Sequence, residues 1–110
     1  MLAISGGARI FIYQAPTDLR KGFEGLSAAV EVAFQGELTS GAYFVFFNRP
    51  RDRMKVLYWD LDGFAIWYKR LEKGTFSKRY MKEGRIERRE FLMLLEGITP
   101  KRLQKRFKIS

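Results

Sequence analysis

The chain has 110 residues, enough for one domain with a modest core, and its 46% apolar and 15% aromatic content argues for a folded globule. It contains no cysteine and no histidine, which excludes disulfides and thiolate metal sites and leaves zinc chemistry and Ser-His or Cys-His catalysis without their essential groups. The net charge of +9 points to a polyanionic partner or to plain solubility.

In chain order, "RIFIY" (9–13) reads as a short strand ended by Pro16. Thr17 or Asp18 stands where a helix N-cap belongs. Leu19, Phe23, Leu26, Val30, Ala33 and Phe34 then recur with a 3.6-residue period, which predicts an amphipathic helix over 18–35, closed by Gly36. Gly22 and Gly25 inside that span each cost about 1 kcal/mol against alanine, and close packing on a strand is the favoured reason.

"AYFVFF" (42–47) is near-continuously aromatic and reads as a strand buried on both faces. "NRPRDR" (48–53) is a turn carrying three arginines. "MKVLYWD" and "FAIWYKR" form two strands joined across Leu61-Asp62-Gly63, with the loop length open. Gly63 is expected to take the positive φ of that turn. A further hairpin about Glu83-Gly84 and a short helix ending at Gly97 come next. The expected architecture is α+β: a small, mostly antiparallel, aromatic-rich meander with one long amphipathic helix packed on it and a short C-terminal helix. The expected domain covers 1–98, followed by a basic tail over 99–110.

No apolar run approaches the roughly 20 residues that span a bilayer, and the N-terminus lacks a signal-peptide pattern, so a soluble cytoplasmic protein is expected. Charge accumulates along the chain: net −1 over 1–48, +3 over 49–76 and +7 over 77–110. Two functional classes compete for the hairpin.

As an enzyme, the chain offers Asp60 and Asp62 as carboxylates for a divalent ion, in the manner of a nuclease. Asp-x-Asp-Gly is also ordinary turn chemistry, and no base, nucleophile or phosphate-cradling glycine loop accompanies it. The turn is the better reading, with no cofactor or metal expected.

As a binding module, Arg49, Arg51, Arg53 and Lys55 precede the hairpin and Lys69 and Arg70 follow it, a set suited to phosphates. Arg20 and Lys21 are possible contributors from the helix start. Tyr58, Trp59, Trp67 and Tyr68 have faces on which bases stack, although Trp59 and Trp67 are expected to be mainly core. The same basic, aromatic surface also suits docking on a protein partner without DNA contact.

"TDLRKGFEGL" (17–26) and "SGAYFVFFNRPRDRMKVLYWDLDGFAIWYKRLEKGTF" (40–76) closely resemble the TnpB accessory proteins of IS66-class bacterial insertion sequences. These are encoded by the second open reading frame and are distinct from the RNA-guided nuclease sharing the name. The resemblance rests on Asp18-Leu19-Arg20-Lys21-Gly22, Asn48-Arg49, Leu57-Tyr58-Trp59-Asp60, Asp62-Gly63-Phe64 and Trp67-Tyr68-Lys69-Arg70. It implies a role in transposition beside a separate transposase that carries the strand-transfer chemistry. Transposon-end DNA and that transposase are the implied partners. The family supplies a process and no catalytic residues to carry over.

Overall fold

The computed structural model describes residue 4 and residues 6–96. The expected basic tail over 99–110 and the Gly97 helix stop lie outside the described residues. In chain order the elements are β1 (Ile10–Ile12), α1 (Phe23–Ala33), β2 (Tyr43–Phe47), β3 (Arg53–Asp60), β4 (Gly63–Arg70), α2 (Arg79–Glu83), β5 (Arg85–Ile86) and α3 (Arg88–Leu95). The class is α+β, with one five-stranded sheet in the order β4-β3-β2-β1-β5.

The sheet is mixed rather than a simple meander. β1 runs parallel to β2, with Ile10 opposite Tyr43, because α1 provides the crossover that parallel neighbours need. β3 is antiparallel to both β2 and β4, and β5 is antiparallel to β1. All five residues of β2, the middle strand, are buried. Its alternating side chains therefore feed two cores, one on each face.

On one face Leu26 and Val30 of α1 pack with Phe44, Phe46 and Leu57. On the other, Val45, Phe47, Met54 and Val56 meet Phe76, Tyr80 of α2 and Phe91 and Leu94 of α3. Full burial of each such phenylalanine or leucine contributes about 1.5–3 kcal/mol. Trp67 packs against this second core. Trp59, partly buried, sits edge-on to Phe64 with ring centroids 4.9 Å apart.

Two further sequence expectations change here. The helix spans 11 residues instead of the whole of 18–35. Asp18 explains its late start: the carboxylate accepts the Arg20 amide at 3.0 Å, and the Asp18 carbonyl accepts the Lys21 amide at 3.1 Å. Such local bonds compete with helix, and Gly22, extended at φ −101° and ψ −150°, becomes the N-cap. The second change is the expected hairpin about Glu83-Gly84. Residues 79–83 are helical, and Gly84 at φ +71° is the left-handed C-cap of α2 that turns the chain into β5.

Candidate nucleic-acid interface

Period-two alternation decides which hairpin residues share a surface. The β3–β4 register sets Arg53 opposite Arg70, Lys55 opposite Tyr68 and Leu57 opposite Ile66. Leu57 and Ile66 belong to the α1-side core, so Arg53, Lys55, Tyr68 and Arg70 lie on that same side of the sheet. The residues between them alternate to the other face.

Beside this row lies an open groove of about 440 Å³, lined by segments 16–20 and 48–49 with Arg53 and Tyr68. Its walls are fixed by backbone bonds. The Thr17 amide donates to the Phe47 carbonyl at 2.8 Å, tying segment 16–20 to the end of β2. Asn48 organises the arginine turn: its side-chain oxygen accepts the Arg53 amide at 3.0 Å while its Nδ2 donates to Asp52 at 2.7 Å. Arg49 is thereby held, exposed, at the tip of a closed turn.

Within the groove Arg20 pairs with Asp18 at 2.7 Å. That hydrogen bond holds the Asp18 carboxyl at about 2, below its usual 3.8, so it stays ionised throughout the neutral range. Arg53 donates to the Tyr68 hydroxyl at 3.4 Å, and Lys55 stands 5.0 Å from the Tyr68 ring centre. Lys55 also donates to the Lys21 carbonyl at 3.0 Å, which anchors the segment before α1 to the sheet. Arg70 pairs with Glu72 at 3.0 Å. Among the described residues, no carboxylate lies within ion-pairing distance of Arg49, Arg53 or Lys55.

Six of the eight basic residues singled out in the sequence thus gather on one side: Arg20, Lys21, Arg49, Arg53, Lys55 and Arg70. Two do not. Lys69 points to the opposite face, where its ammonium donates to the Leu95 carbonyl at the end of α3 at 2.6 Å. Arg51 is a staple: its Nε donates to the Phe76 carbonyl at 3.0 Å, and its own carbonyl accepts the Phe76 amide at 2.7 Å. Of the four aromatics named from the sequence as faces for base stacking, Tyr68, 49% exposed, lines the groove. Its signal was the alternation that puts it with Arg70. Asp60 ends β3 and Asp62 sits in the turn after it, at the far end of the hairpin, and the described residues hold no group of three or more Asp or Glu able to share a metal ion.

Several residues that carry the resemblance line this groove: Asp18, Leu19, Arg20, Asn48, Arg49 and Tyr68. The chain matches a family model described as IS66 Orf2 like protein over residues 8–105. It belongs to the IS66 Orf2 like family. The match extends well past Phe76, to residue 105. An uncharacterized protein of Sinorhizobium fredii (strain NBRC 101917 / NGR234), y4jC, is 33% identical over 108 residues, covering 96% of this chain and 92% of that protein. A second from the same strain, y4hO, is 33% identical over 76 residues, 69% of this chain and 66% of that protein. No solved structure matches the chain. Membership of the IS66 Orf2 like family ties the protein to transposition. No helix among the described residues is long and apolar enough to cross a membrane.

Proposed function

We propose that the protein is a non-enzymatic accessory factor of transposition that grips the phosphate backbone of transposon DNA with the groove and the adjoining sheet face. The observation that carries this reading is the gathering of Arg49, Arg53 and Lys55 without a carboxylate partner among the described residues. Arg53 moreover stands directly across the ladder from Arg70. Like charges opposed on neighbouring strands repel, and an anion bound between them removes the cost. Asn48 and Thr17 add neutral polar groups at the rim, and exposed Tyr68 offers a face for a splayed base. Lys69 and Arg51 are structural in this reading.

The test is binding to a transposon-end duplex, a scrambled duplex and a single strand across a salt series. Log affinity is expected to fall with log salt at about −0.9 per duplex phosphate neutralised. Arg49→Ala with Arg53→Ala should flatten the slope by about 2, whereas Lys69→Ala should leave it unchanged. Preference for the transposon ends would add sequence readout. No binding to any of the three at moderate salt sinks the DNA reading, and the surface then becomes a dock for the transposase.

A further inference from the structure

The two edges of the sheet are unequal. β5 is two residues long, whereas β4 runs for eight and, among the described residues, pairs only with β3. Long edges in soluble proteins are blunted by charge, proline or a bulge, because their outward backbone groups recruit other strands. The middle of β4 has none of these devices. Residues 64–68 read Phe-Ala-Ile-Trp-Tyr, and the ladder to β3 runs unbroken from Asp60–Gly63 to Arg53–Arg70.

The phase of the ladder shows which groups face outward. A two-residue loop makes Asp60 and Gly63 a hydrogen-bonded pair, and at the other end the Leu71 amide donates to the Asp52 carbonyl at 2.7 Å. Both ends give the same alternation. Phe64, Ile66, Tyr68 and Arg70 therefore direct their amides and carbonyls away from β3.

We propose that β4 pairs antiparallel with β4 of a second copy of this chain, about a two-fold axis at Ile66, forming one continuous sheet. A two-fold axis normal to the sheet keeps each side chain on its face, so only residues of equal parity oppose one another. With Ile66 on the axis, Phe64 meets the second copy's Tyr68 and Asp62 meets its Arg70. Two aromatic pairs then form between residues whose backbone groups point outward, and two opposite-charge pairs join Asp62, in the turn before β4, to Arg70 at its end. Moving the axis to Trp67 sets Asp62 against Glu72, carboxylate on carboxylate. Moving it to Ala65 loses the aromatic pairing. The strand is acidic where it begins and basic where it ends, and that polarity complements itself when reversed. This favours a second copy over an unrelated strand. It also sets both basic grooves on one side of the joined sheet.

Sedimentation across a concentration series without nucleic acid tests the pairing apart from any DNA contact, although Arg70 serves both readings. The wild-type chain is expected to show a monomer–dimer equilibrium. Asp62→Lys and Arg70→Glu should each weaken self-association at least about tenfold. Mixed in equal amounts they should form a heterodimer, since the introduced lysine then faces the introduced glutamate in one pair and Asp62 faces Arg70 in the other. Ile66→Pro removes an outward amide, together with the packing of the Ile66 side chain beside Leu57, and should also give a monomer, with circular dichroism checking that the fold is kept. A wild-type chain that stays monomeric up to hundreds of micromolar overturns the proposal. So does a dimer indifferent to both charge changes, or a mixture that fails to associate.

Discussion

Leu61 is the most exposed large apolar residue described, at 92%, and it holds φ +58° at the hairpin tip. The Asp62 amide donates to the Asp60 carbonyl across it at 2.6 Å, the signature of a tight, strained γ-turn. A leucine there loses about 1–2 kcal/mol to the left-handed backbone and recovers nothing from burial. Leu61→Gly should therefore stabilise the protein by about 0.5–1 kcal/mol after the flexibility of unfolded glycine is subtracted, seen as a higher denaturant midpoint with unchanged slope. Arg51 has a similar φ, +57°, but its guanidinium is bonded to Phe76, so the same replacement should bring no gain there. The sequence suggested Gly63 for the positive φ. Pairing Leu57 with Ile66 under α1 sets the loop, whose length the sequence left open, at Leu61-Asp62, and a burial preference overrides the turn signal. The same alternation separates Lys69 from its neighbour Arg70, which no count of charges along the chain reveals.

Among the elements, those with a filled apolar stripe were legible: β2, β3, β4 and the middle of α1. So were the short β1 and α3, whereas α2 and β5 were not. α2 and β5 depend on Gly84, which reads equally well as a hairpin turn until Tyr80 and Ile86 are seen to fill one core with Phe91. That glycine is also where the edge of the sheet is fastened, since its carbonyl accepts the Ile12 amide at 2.8 Å. A Cβ on Gly84 would sit 3.3 Å from the Gln14 amide and would have to be borne at φ +71°. Gly84→Ala should cost about 1–2 kcal/mol, and its effect should be largest at β5. Hydrogen exchange checks the location: the Ile12 amide should lose protection by at least about tenfold more than amides of β3. Uniform loss across the sheet would show instead that β5 unfolds only with the whole domain.

For the whole molecule, the basic character was plain from composition, and its concentration on one side was not, because it comes from the β3–β4 register and the path of segment 16–20. A charge of +9 carries a self-repulsion that fades as lysines lose protons near pH 10.4, which by itself would favour the folded state in alkali. Two tyrosines act against this. Burial raises the phenol of Tyr80, which is fully buried between α2 and the sheet. Burial, with a smaller effect from Asp60, raises that of Tyr58. A phenol held neutral in the fold and free to ionise near pH 10 when unfolded gives stability that is complete below pH 10. That stability drains away as pH climbs through the raised folded value. Salt separates the two effects, because it screens repulsion among exposed charges and scarcely touches a buried phenol. In high salt the melting temperature should hold level to about pH 9.5 and then fall. Tyr80→Phe should remove most of the fall, and Tyr58→Phe, at a half-covered position, much less. An equal fall in Tyr80→Phe would place the alkaline sensitivity in the lysines, and Tyr80 would then be a packing residue without a pH role.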